Sequence, residues 1–207
     1  MKKAASFASR LVLLVGLLVA LLACKKLMGG KSYPDGEAGL TQLATDLTNA
    51  EGGEAEKLGK NLALPDPYKF FTTAFGPTEG GILALEYDRE VPKLGTIHMF
   101  FKAGKTKGRT QILVEKHVSA DDENANALQE AAVRAMKTPM AIYTVNVVEP
   151  GKTIGSSLWS FAYVDGNFRY LGKMKALKPN SSPFDDLSKK DLKDALSGDK
   201  SDDGAGW

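Results

Sequence analysis

Few side chains in this sequence are equipped for chemistry, and their spacing narrows the options further. There are two histidines, His98 and His117, and one cysteine, Cys24. A single thiol excludes an internal disulfide and any multi-cysteine metal site. The histidines fall on separate predicted elements and lack the i, i+4 spacing that aims two imidazoles at one zinc ion. They read as surface or half-buried side chains. Gly104-Lys105-Thr106 and Gly151-Lys152-Thr153 end like a phosphate-binding loop. That loop needs another glycine five residues before its second one, where Met99 and Asn146 stand. Both tripeptides read as basic turns. Asp199 to Gly204 carries the ligands of the first half of a calcium loop, but the glutamate of position twelve would fall past Trp207. Asp121-Asp122-Glu123 reads as a solvated helix start, where carboxylates suit the helix dipole. No G-x-S-x-G nucleophile elbow is present. The residues thus offer no catalytic set, metal site or cofactor motif, and a non-enzymatic role is expected.

Composition bounds the rest. The chain has 207 residues, 43% hydrophobic and 25% charged, the make-up of a folded domain. Its 27 basic and 25 acidic side chains nearly cancel, so charge gives no case for nucleic acid.

The N-terminus carries the strongest signal. Lys2, Lys3 and Arg10 precede an uncharged run from Leu11 to Ala23, 13 residues long. As a helix it would span about 20 Å, well short of the ~30 Å core of a bilayer. The run therefore fits a secretory h-region. It ends in Leu21-Leu22-Ala23-Cys24: an aliphatic residue, a tolerant position, a small residue, then cysteine. This sequence resembles the lipobox of bacterial lipoproteins, a resemblance confined to residues 1–24.

The resemblance implies that residues 1–23 are a signal peptide cut just before Cys24. It also implies diacylglycerol on the Cys24 sulfur and a further acyl chain on the new amino group. A thiolate is the side-chain nucleophile suited to forming that thioether. Each buried methylene adds about 0.8 kcal/mol, and two or three chains hold a protein on a membrane without a spanning segment. Lys25 stands where the family's inner-membrane retention signal has Asp, which implies the outer membrane, facing the periplasm. Residues 24–36 read as a lipidated tether with two adjacent glycines and a Pro-Asp-Gly turn.

Beyond the tether, spacing predicts helices and then strands. Leu40, Leu43, Ala44 and Leu47 recur at i, i+3, i+4, i+7. Ala55, Leu58 and Leu62 continue at helical spacing. Asp66-Pro67 starts a further helix that Gly76-Pro77 ends. Another is expected over 79–91, carrying Ile82, Leu85 and Tyr87. Residues 92–103 suit helix or strand. Strands are expected over 110–118 and 141–148, with a helix over 121–137 between them. Asp165-Gly166 sits between alternating apolar residues, a two-residue hairpin signal. That register pairs Tyr163 with Phe168, Phe161 with Tyr170 and Trp159 with Gly172. It puts Trp159, Phe161, Tyr163, Phe168 and Tyr170 on one face. This face is either core against the helices or the lining of a ligand pocket.

Residues 178–207 form a polar tail with five Lys and seven Asp. Ser188 to Asp191 make a capping box, with Leu187 and Leu192 as its staple, predicting a short helix over 189–196, docked or free.

The expected fold is α+β: N-terminal helices on an antiparallel sheet of about four strands with one inserted helix, over residues 37–177. In element order alone it resembles the nuclear transport factor two-like and cystatin-like rolls, whose members include enzymes, binders and interaction modules. The leading expectation is a membrane-anchored envelope module that binds a protein partner. The alternative is a small-molecule binder using the aromatic face. An enzyme of the roll would need an acid such as Glu86, Asp88 or Glu115 in its cavity. A filled core beside an exposed apolar patch would favour the partner-binding reading.

Overall fold

Leu40, Leu43, Ala44 and Leu47 line one face of α1 (Glu37–Asn49), and each is at most 3% exposed. Fully burying one such leucine contributes about 1.5–3 kcal/mol, so the helix is held by its packing. The computed structural model describes residues 31–178. Residues 1–30, with Cys24, and residues 179–207, with the expected helix over 189–196, lie outside them.

The chain divides after Ser32, and the folded unit starts earlier than the tether boundary at 36. The Tyr33 ring is buried and its hydroxyl donates to Asp46 Oδ2 at 2.7 Å. Tyr163 donates to the Tyr33 carbonyl, and Tyr143 to Asp35 Oδ1. Two aromatic hydroxyls of the sheet therefore stitch the incoming segment to the core.

Four more helices precede the sheet: α2 (Gly52–Lys60), α3 (Pro67–Phe75), α4 (Pro77–Tyr87) and α5 (His98–Thr106). Asp66 caps α3 through Lys69 N, with Pro67 in the first turn. Pro77 does not merely stop α3; it occupies the first turn of α4. The two helices meet closely. A Cβ on Gly80 would lie 2.4 Å from the Phe71 carbonyl oxygen, so only glycine permits this approach. Residues 92–103 prove helical, as a 3-10 turn over Val91–Thr96 followed by α5.

The sheet is a four-stranded antiparallel meander in the order β1 (Gln111–His117), β2 (Ile142–Val148), β3 (Gly155–Val164), β4 (Asn167–Tyr170). The inserted helix α6 (Ala127–Ala135) joins β1 to β2. It starts later than the expected 121 because Asn126 and Gln129 form its capping box. Asp165 and Gly166 both have positive φ, as a type I′ turn requires. The hairpin pairs Tyr163 with Phe168 and Phe161 with Tyr170, as the register calculation expects. Outside β4, Tyr170 N–H donates to Leu62 O at 2.9 Å, which covers the sheet edge.

Both faces of the sheet are packed. On one, Tyr143, Val145, Phe161 and Phe168 meet α1 and Phe101 of α5. On the other, Ile142 and Ala162 meet Phe71, Phe75, Leu83 and Tyr87 of α3 and α4, with Ala132 of α6.

Candidate functional site

Four of the five aromatics expected on one face share it, and their rings fill it. Phe161 stacks edge-on against Tyr170 with centroids 5.3 Å apart, and Tyr163 against Phe168 at 5.1 Å. Tyr143 adds a third edge contact to Phe168. Phe161, Phe168 and Tyr170 are buried and Tyr163 is half-buried under Tyr33 and α1. Burial and the neighbouring Asp35 carboxylate push the Tyr143 phenol up to about 12, and burial, then Glu90, raises Tyr170 as well. Both stay neutral at ordinary pH.

Trp159 departs from this face. Tyr143 pairs with Phe161 but Thr144 pairs with Trp159, leaving Ser160 as an extra residue. This bulge shifts the alternation of side chains. Leu158, across from Val145, joins the aromatic face. Trp159, across from Thr144, turns to the opposite face, where Lys173 Nζ lies 4.7 Å from its ring centroid. Ser160, not Trp159, bonds to the Gly172 backbone. A two-residue period has no term for an inserted residue, which is why the sequence reading missed the turn-over.

The three carboxylates considered as acids are spread apart. Glu86 accepts from the backbone N–H groups of Lys175 and Ala176, both at 2.8 Å. It clamps the 3-10 turn Lys175–Leu177 onto α4. Asp88 is exposed just after α4, and Glu115 is half-buried on β1 opposite Thr144.

His117 is not a surface or half-buried side chain: it is fully buried at the end of β1. Its Nδ1 lies 2.7 Å from Asp122 Oδ2 and its Nε2 3.0 Å from Thr144 Oγ1. Asp122 therefore leaves the solvated acidic run, whereas Asp121 beside it stays exposed. The connectivity is carboxylate, imidazole, hydroxyl, the order of a nucleophilic triad. Here the hydroxyl is spent internally. Gln129 Oε1 accepts from Asn126 N–H, which orients its amide so that Nε2 donates to Thr144 Oγ1. Thr144 Oγ1 and Asp122 Oδ2 thus hold the two ring nitrogens of His117, one on each side. Thr144, Gln129 and Asn126 are all at least nine-tenths buried. The network pins the α6 N-terminus to β1 and β2. Among the described residues, no three His, Cys, Asp or Glu side chains cluster to hold a metal ion.

The open surface lies elsewhere. α4 buries Gly80, Leu83, Ala84 and Tyr87, a complete i, i+3, i+4, i+7 stripe. Ile82 and Leu85, expected on this helix, fall off that stripe and are 51% and 67% exposed. Tyr68, at the start of α3, is 64% exposed beside them. With Pro67, Thr78 and Gly81 these side chains line a cleft of about 550 Å³ between α3 and α4, and Asp66 and Asp88 edge it. Apolar floor and acidic rim can receive an apolar side chain flanked by basic ones. The sequence held a usable sign of this: Ile82-Leu83-Ala84-Leu85 has more apolar residues than one helix face can bury.

No protein-family model, no curated protein and no solved structure matches the chain.

Proposed function

We propose that the mature protein is a lipid-anchored envelope module, tethered through acyl chains on Cys24, that acts by binding another macromolecule at the α3–α4 cleft. The observation that carries this reading is the contrast between the two apolar surfaces. The aromatic face is filled by its own rings, whereas Tyr68, Ile82 and Leu85 are left to solvent together. Large side chains grouped in this way are uncommon on monomers and mark interaction sites. The buried, saturated state of the Asp122–His117–Thr144 chain supports a structural role for it.

Anchoring and binding are tested separately. Cys24→Ala should lose labelled palmitate and membrane pelleting together; retention of both would refute the anchor. Leu85→Asp should leave anchoring intact and weaken complex formation in crosslinked envelopes. Unchanged complexes would refute the cleft.

A further inference from the structure

We propose that the basic end of the sheet, where two lysine-bearing turns meet beside the exposed Ile154, is a second membrane contact that docks on anionic lipid headgroups. This rests on the anchor at Cys24 and is independent of the α3–α4 cleft.

The sequence separates its charges here. Residues 91–114 hold five Lys or Arg and no Asp or Glu. The fold then brings two basic turns together. The Gly104 carbonyl accepts from the N–H groups of Lys107 and Arg109, which closes the turn after α5. Arg109 Nη1 donates to Ser156 Oγ on β3. Gln111 Oε1 accepts from Gly151 N–H at 3.0 Å, tying the start of β1 to the turn between β2 and β3. Both turns thus sit at the end of the sheet where Gln111 pairs with Val148 and Val148 with Gly155. Lys102 of α5 and Lys105, Lys107, Arg109 and Lys152 gather there, and Glu149 is the one carboxylate on the same two turns. Lys105, Lys107 and Lys152 are exposed. Two residues on from Lys152, Ile154 is 77% exposed, more than any other large apolar side chain among the described residues.

An apolar tip beside cations matches the lipid–water interface, where headgroup charge and apolar burial both add to binding. Proximity favours a bilayer over an acidic protein. Cys24 and Tyr33 are nine residues apart, so a fully extended tether keeps the start of the folded unit within about 30 Å of the acyl chains. The cleft helices α3 and α4 meet the sheet at Ile142 and Ala162. Ile142 is at the other end of β2 from Val148, about 20 Å along the strand. Docking by the basic end therefore holds the cleft off the lipid, open to a partner.

The test uses the acylated protein carrying Ile154→Cys, labelled with a polarity-sensitive fluorophore and reconstituted on vesicles. The acylated Cys24 has no free thiol, so the label sits at 154. Emission should shift to the blue on phosphatidylcholine containing about 30% phosphatidylglycerol and not on phosphatidylcholine alone. Salt at about 1 M, where the Debye length falls to about 3 Å, should reverse the shift. Each cation at an anionic surface strengthens attraction roughly fivefold. Lys105→Gln/Lys107→Gln/Lys152→Gln should therefore weaken docking roughly a hundredfold and abolish the shift. Lys57→Gln/Lys60→Gln/Lys93→Gln, an equal change of charge elsewhere, should keep it. No shift on the anionic vesicles, an equal shift on both lipids, or loss in both triple variants overturns the contact. A shift seen only in whole envelopes overturns it in favour of an acidic protein partner. Vesicle flotation reads the anchor separately. Protein that floats on both lipids without a shift overturns the contact and leaves the anchor standing. Protein that floats and shifts only with anionic vesicles supports the contact and overturns the acyl anchor.

Discussion

Thr144 is the residue whose loss should reveal most about how the domain is held. Thr144→Val keeps volume and β-branching and deletes only the hydroxyl. Its Oγ1 accepts from Gln129 Nε2 and bonds His117 Nε2, and both partners are at least 98% buried. Neither can turn to water. Leaving a buried polar group unpaired costs about 1–3 kcal/mol, so two such groups predict a loss of about 2–6 kcal/mol. For a chain of this size that lowers the melting temperature by roughly 4–24 °C. Urea unfolding of the mature chain, followed by circular dichroism, measures it. Thr144→Ser restores the hydroxyl and should recover most of the loss, short of about 1 kcal/mol for the missing methyl. Gln129→Leu combined with Thr144→Val should cost less than the sum of the two changes, since each leaves the other's partner unpaired. A Thr144→Val variant as stable as wild type would refute the saturated network, and with it the reason given for reading the triad-like chain as structural.

Other consequences follow from single contacts. The Tyr143 phenol, ordinarily near 10, is pushed up to about 12 in the folded chain. The native state thus holds this proton more tightly than the unfolded one, so stability is intact below about pH 10 and falls as pH rises towards 12. Urea midpoints across that range should drop, and Tyr143→Phe should flatten the drop; a wild-type midpoint that does not move contradicts this. Ser160 Oγ is buried without a hydrogen-bond partner, so Ser160→Ala should be neutral or stabilise by about 1 kcal/mol. A clear loss would mean that the hydroxyl has a partner. Gly80→Ala drives a Cβ against the Phe71 backbone and should cost about 1–3 kcal/mol by overpacking. It should also spread the cleft walls, seen as faster hydrogen exchange in α3 and α4 than elsewhere.

Local rules made much of the fold legible. The α1 stripe, the Asp66-Pro67 start and the Asp165-Gly166 hairpin each follow from side-chain spacing or backbone preference within a few residues. The α+β order follows from the change of period near Thr110. What escaped depends on contacts between distant residues. The bulge at Ser160 reverses Trp159, and nothing in an alternating apolar run marks an inserted residue. His117 and Asp122 are five apart across an irregular turn, a spacing tied to neither helix nor strand. The sequence put Ile82, Leu85 and Tyr87 on one helix from apolar content, without saying which of them that helix buries. The stripe that α3 accepts is set instead by Gly80, which lets Leu83, Ala84 and Tyr87 approach. The surplus residues then become the surface on which the proposed function depends.

That surface is best tested in place. Envelopes carrying wild type, Leu85→Asp or Met99→Asp would be crosslinked and the high-mass adducts of the protein quantified. Met99 is as exposed as the cleft residues, at 61%, but lies on α5, so it controls for the loss of any surface apolar group. We expect wild type and Met99→Asp to give the same adducts and Leu85→Asp to lose them, with anchoring and folding equal in all three. Equal adducts in all three, or a loss shared by Met99→Asp, would contradict a partner site at the α3–α4 cleft.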